Sequence, residues 1–249
     1  MSTRFHIGAK ALRGAITAYA KRFDLLEVTV ALEAQKGKAA VLAPSTATLK
    51  KWRKTTPPSF EFAVIAGPHV GRLKSGTELE HELSAAKNAI DVLHARCFLV
   101  KTPPEVTPSA LARDRLGRLF DRFPKDVTSV VWEPSGLWEV EDAAVAARKW
   151  GVVLSVDAAR EPVPAGPVAY VRLRAMGETR AFGPSALDRI VRAIGPRRDA
   201  YVVLETEGAL DECKRLRTIA QRTRKDEEGG MSRLVRPRGG IVVRDDEQE

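Results

Sequence analysis

Cysteine is nearly absent: 249 residues contain two, Cys97 and Cys213. They lie far apart and outside any CxxC spacing, so no disulfide framework or cysteine zinc site is expected, and the setting reads as reducing and cytoplasmic. Histidine is scarce as well, with four residues and no HxH or HxxxH pairing, which argues against a zinc centre. No apolar run approaches the ~20 residues that a membrane span needs. The opening MSTRFHIGAK lacks the apolar stretch of a signal peptide. GxGxxG, GxxxxGK[ST] and GxSxG are all missing, which removes sequence support for a dinucleotide fold, a phosphate-binding loop or a hydrolase elbow.

Hydrophobic residues make up 44% of the chain and the formal net charge is +9. Residues 223–249 hold 6 Lys/Arg against 7 Asp/Glu, so the positive excess belongs to residues 1–222. A basic body attracts polyanions, nucleic acid among them. No basic block is interleaved with aromatics, however, and Arg on solvated helix faces gives the same composition.

The stretch SVVWEPSGLW (Ser129–Trp138) sets the grammar of the chain. An apolar run ends in Glu133, Pro134 and Gly136 turn the chain, and an amphipathic helix Val140–Trp150 follows. Seven further short runs follow the same pattern: Phe5–Ile7, Asp24–Val28, Phe60–Ala66, Cys97–Val100, Val152–Val156, Ala169–Leu173 and Ala200–Leu204. Helical spacing is found over Ala9–Phe23, Thr46–Thr55 (capped by Ser45), Glu78–Leu93, Ala110–Phe123, Pro184–Ile194 and Ala209–Gln221. Eight near-continuous apolar strands separated mostly by helices predict a parallel sheet covered on both faces. In about 220 residues this favours an α/β fold of the TIM-like (β/α)8 type over an open doubly wound sheet. The expected organisation is one barrel domain, residues 1–222, and a charged, flexible tail, residues 223–249, whose Ile241–Val243 could add to a partner's sheet edge.

In such a barrel the active site lies at the C-terminal ends of the strands. The first polar residues after each run are Glu27, His69, Lys101, Glu133, Asp157, Arg172, Arg174 and Glu205. Strand ends are polar in any α/β protein, and acid–base pairs there can simply satisfy each other. Several charged groups converging on one mouth nevertheless suit a charged, polar ligand. Glu133 and Asp157 are the candidate catalytic acid/base groups. Glu27, Lys101, Arg172 and Arg174 are the candidate ligand-binding groups, with the cations as clamps for a phosphate or carboxylate. No particular metal site or cofactor is indicated, and Glu133 and Asp157 are alternatively oxygen ligands to a divalent cation.

Several segments resemble one known family. PSTATLKKWRKTTPPSFEFAV (Pro44–Val64), FLVKTPPEV (Phe98–Val106), VVWEPSGLWEV (Val130–Val140), VVLSVD (Val152–Asp157) and AYVRLRAMG (Ala169–Gly177) are similar, in order, to signatures of the domain-of-unknown-function 72 (YecE-like) family. The resemblance spans about Phe5–Gln221 and implies a TIM barrel, but brings no established reaction. Glu27, Glu133, Asp157, Arg172 and Trp138 match the family pattern. Ile65 stands where the family has lysine, Lys101 where it has glutamine, Pro134-Ser135 where it has Arg-His, and Arg174 where it has histidine.

These readings favour a hydrolase or isomerase acting on a phosphorylated or otherwise anionic small ligand. The rivals are a nucleic-acid-binding module and a degenerate interaction scaffold.

Overall fold

The structure, a computed structural model, describes residues 3–30, 43–123, 125, 127–175 and 180–234, with side chains of the last helix through Thr223. The Ala-rich segment 31–42 and the Ile241–Val243 candidate lie outside the described residues.

Eight parallel strands close into a barrel in sequence order: β1 (Arg4–Ala9), β2 (Leu25–Thr29), β3 (Glu61–Ile65), β4 (Cys97–Lys101), β5 (Ser129–Glu133), β6 (Val153–Val156), β7 (Val168–Leu173) and β8 (Asp199–Leu204). The closed parallel barrel agrees with the eight-run reading. Side chains alternate along each strand with period two. One set, including Leu25, Ala63, Leu99, Val131, Tyr170 and Val203, packs inside the barrel. The other set, including Leu26, Phe62, Phe98, Trp132 and Val202, meets the surrounding helices. Both faces are therefore apolar, which is why the strands read as continuous rather than alternating runs.

The outer helices are α1 (Ile16–Ala20), α2 (Thr46–Thr55), α3 (Pro68–Gly71), α4 (Thr77–Leu93), α5 (Ala110–Phe120), α6 (Val140–Trp150), α7 (Pro184–Ile194) and α8 (Ala209–Leu234). Ser45 and Ser109 cap α2 and α5 by accepting from the amides of Thr48 and Ala112, both at 3.2 Å. A tryptophan cluster packs behind β5, with Trp132 and Trp138 ring centroids 4.7 Å apart and Trp132 and Trp150 5.3 Å apart.

Three elements differ from the sequence expectation. Helix α1 is five residues long rather than spanning Ala9–Phe23, because β1 runs on to Ala9 and Gly14 takes φ +78°, which no helix accommodates. Helix α3 is a short turn after β3 that the Gly67-Pro68 punctuation concealed. Helix α8 continues to Leu234, past the expected end at Gln221 and through the start of the expected tail. Among the described residues no helix joins β6 to β7. Pro162, Pro164, Gly166 and Pro167 in that connection explain its irregularity.

Candidate functional site

The inward parity of the strands decides which strand-end residues meet. On β2, Glu27 follows Leu25 by two positions, and on β4, Lys101 follows Leu99. On β5, Glu133 follows Val131, and on β7, Arg172 follows Tyr170. Each strand thus ends in one inward polar residue above the apolar interior, and together they form the floor of the C-terminal mouth. Lys101 and Glu133 are direct register partners across β4 and β5.

Arg172 stands at the centre, with its side chain 3% exposed. It is hydrogen-bonded to Glu27. It donates to Glu205 Oε1 at 2.7 Å and lies 3.4 Å from Glu133 Oε2. A guanidinium with a fixed fork of donors suits this arrangement better than an ammonium would. Burial works against its charge, but Glu27, Glu133 and Glu205 outweigh burial and raise its pKa. Tyr170 donates to Glu27 Oε1 at 2.6 Å from the layer below. Arg174, more exposed, is bonded to Glu133 and lies 3.4 Å from Glu205 Oε1. Lys10 stands 3.3 Å from Glu205 Oε2. Burial alone would raise the Glu205 pKa, but Arg172, Arg174 and Lys10 hold it below the usual carboxylate range.

Lys101 is held differently. Its Nζ is 3.7 Å from Glu133 Oε2, and its side chain is 38% exposed. Burial, aided by Arg172 and opposed by Glu133, lowers its pKa.

Among the described residues, three buried side-chain atoms accept or donate no hydrogen bond: Glu27 Oε2, Glu133 Oε2 and Ser155 Oγ. Ser155 on β6 is the register partner of Tyr170, whose hydroxyl reaches Glu27. Buried polar atoms are ordinarily satisfied; Glu133 Oε2 is compensated by charge, with Arg172 at 3.4 Å and Lys101 at 3.7 Å. Among the described residues no group of three or more His, Cys, Asp or Glu side chains is placed to hold a metal ion; the guanidinium of Arg172 takes the centre between the carboxylates instead.

Glu27, Lys101, Glu133, Arg172 and Arg174 therefore converge. Asp157 is placed apart. Its Oδ1 accepts from the Ala159 amide at 3.1 Å and its Oδ2 from the Arg174 amide at 3.4 Å, with Arg160 at 3.6 Å. Two contributors, Lys10 and Tyr170, were not among the strand-end residues and follow from inward parity, two positions from Gly8 and from Arg172. His69, which was among them, is placed apart, 2.7 Å from Glu82 Oε1, and Glu82 Oε2 accepts from the Val70 amide at 3.0 Å.

A model of the family described as protein of unknown function DUF72 matches residues 8–235. The chain belongs to the DUF72 family. A DUF72 protein of Enterococcus faecalis V583 is 14% identical, with a TM-score of 0.65 over 88% of this chain and 98% of that one. The DUF72 protein of Thermotoga maritima MSB8 is 17% identical, with a TM-score of 0.59 over 90% and 99%. A xylose isomerase domain containing protein of Salmonella typhimurium LT2 is 14% identical, with a TM-score of 0.56 over 92% and 97%. These likenesses are of fold. No curated protein matches. Within this DUF72 barrel, Lys101 and Arg174 face each other across Glu133. Among the described residues no helix is long and apolar enough to cross a membrane.

Proposed function

We propose that the mouth of this DUF72 barrel binds a small, hydroxylated, anionic ligand of the sugar-phosphate class and acts on it by acid–base chemistry, as an isomerase or a hydrolase. The observation that carries this reading is the pair of partly exposed cations, Lys101 and Arg174, on either side of the Glu133 carboxylate. An anionic group meets the cations while a hydroxyl or carbonyl beside it lies within reach of Glu133, whereas an apolar ligand would leave these charges desolvated and uncompensated.

The roles follow from how tightly each group is held. Arg172, enclosed by three carboxylates, organises the site and is not free to clamp a ligand. Arg174, partly exposed, receives the anionic group, and Lys101, also partly exposed, faces the ligand beside it. Glu133, between them, exchanges the proton. Asp157 holds the β6 exit against the Arg174 amide, and so positions Arg174. A cavity of about 530 Å³ over the β8–β1 seam shares Glu205 and Lys10 with this floor, while Lys101, Glu133, Arg172 and Arg174 lie outside its lining.

The test is thermal unfolding with a panel of phosphosugars. A ligand at about 100 times its dissociation constant adds about 2.7 kcal/mol of stability. Glu133→Gln should lose both this gain and any turnover; a gain that survives the substitution would overturn the reading.

A second reading has its own observation. A cavity of about 650 Å³ at the N-terminal face is lined by Arg4, Arg96, Lys125, Arg148 and Arg198, with Asp199 among them paired to Arg4 and Arg198. This lining is where nucleic acid would bind if the chain has that partner. The affinity would then fall steeply with salt as counterions are released, and Glu133→Gln would not affect it.

A further inference from the structure

We infer that Lys101 is a nucleophilic amine that condenses with a carbonyl group of the ligand, with Glu133 as the proton carrier. The inference rests on the proposed binding of a small anionic ligand at the mouth and names its reactive group: an aldehyde or ketone.

The geometry separates Lys101 from the other cations. Arg172 is bonded to Glu27 and Glu205, and Arg174 to Glu133. Lys10 is paired at 3.3 Å to Glu205 Oε2, and its side chain is 68% exposed. Among the described residues the Lys101 amine has one carboxylate within 4 Å, Glu133 at 3.7 Å, beyond hydrogen-bonding length. It is therefore placed by charge without being consumed by a tight ion pair, and it can be reached from the mouth.

Its backbone is fixed. The Thr102 amide donates to the Glu133 carbonyl at 3.0 Å, and the Thr102 hydroxyl accepts from Trp132 Nε1 at 3.1 Å. Gly71 of α3 lies so close that a Cβ there would overlap the Lys101 carbonyl. An amine on a rigid strand end, beside a second cation and partly withdrawn from water, is the setting in which lysine becomes a nucleophile at neutral pH.

The step balances without a further reagent. The ammonium gives one proton to Glu133, and the free amine adds to the carbonyl carbon. After the second nitrogen proton moves to the oxygen, the carbinolamine hydroxyl takes the proton back from Glu133 and leaves as water. A protonated imine remains on Lys101. Glu133 Oε2, which accepts no hydrogen bond and lies 3.7 Å from the amine, is the carboxylate oxygen placed to carry that proton.

Reductive trapping tests this. The full chain is incubated with dihydroxyacetone phosphate and borohydride, and adducts are mapped by peptide mass spectrometry. The expected result is one adduct, on Lys101, lost in Lys101→Gln and in Lys101→Arg and suppressed by glycerol 3-phosphate. Adducts spread over surface lysines and unchanged in Lys101→Gln would overturn the inference.

A thermal-shift arm with glycerol 3-phosphate, which has no carbonyl, separates the two proposals. Stabilisation without a Lys101 adduct sinks the amine chemistry and leaves the binding reading standing. Neither stabilisation nor adduct sinks both. Lys101→Arg should keep the stabilisation while losing the adduct; if it keeps both, the nitrogen trapped is not that of Lys101.

Discussion

Arg172 is the residue on which the mouth depends. Its side chain is almost completely buried and offsets charge on Glu27, Glu133 and Glu205. Removing one partner from a buried ionic network is costly because the others keep their desolvation penalty. Arg172→Ala should therefore lose about 3–5 kcal/mol in urea unfolding. The same network makes stability depend on acid. The Glu205 pKa is lower in the folded barrel than in an unfolded chain, so its contribution is complete above the unfolded value, about 4.3, and is lost as pH falls through the folded one. Thermal unfolding across acidic pH should show that loss, and Glu205→Gln should flatten it. Reading strand ends from the sequence found Glu27, Lys101, Glu133, Arg172 and Arg174, because an apolar run that stops at a charge is visible. It could not show that Arg172 is enclosed or that the Asp157 carboxylate meets backbone amides. Those facts depend on which strands adjoin.

Among the elements, the β1–β2 seam is a short one. β1 pairs with β8 from Arg4↔Asp199 to Ala9↔Leu204, but with β2 only at Gly8↔Leu25 and Ala9↔Leu26. Tyr19 of α1 closes the gap: its hydroxyl accepts from the Ala9 amide at 2.8 Å and donates to the Leu25 carbonyl at 2.9 Å. A side chain here replaces a missing rung of the sheet. Tyr19→Phe leaves both backbone groups without that partner and should cost about 1–3 kcal/mol in chemical denaturation. The apolar spacing that put Tyr19 on the buried face of its helix was legible, with Ile16 and Phe23. Its hydrogen bonds were not, since they join residues of three elements. The short α3 was missed because its four residues carry no period of their own.

At the scale of the molecule, the eight strands were legible because both strand faces are buried and each appears as an apolar run; their number favoured a barrel over an open sheet, whereas closure itself rests on the pairing of β1 with β8. The β6–β7 connection broke the alternation without breaking the count. Charge distribution is the property the sequence conveyed least well. The overall excess says nothing about its division between a neutralised mouth and the basic lining of Arg4, Arg96, Lys125, Arg148 and Arg198 at the opposite face. If that lining binds nucleic acid, paired charge-removing substitutions at Arg96 and Arg148 should lower the slope of log affinity against log salt by about 0.9 for each lost phosphate contact. An unchanged slope would place the binding elsewhere. The tryptophan cluster, finally, gives the barrel its own optical reporter. Three of the chain's four tryptophans pack together there, Trp132 immediately precedes Glu133, and its indole is tied to Thr102, next to Lys101. Near-ultraviolet dichroism and intrinsic fluorescence are thus dominated by the wall behind the two strand ends, and events at the mouth can be followed in unlabelled protein as they happen.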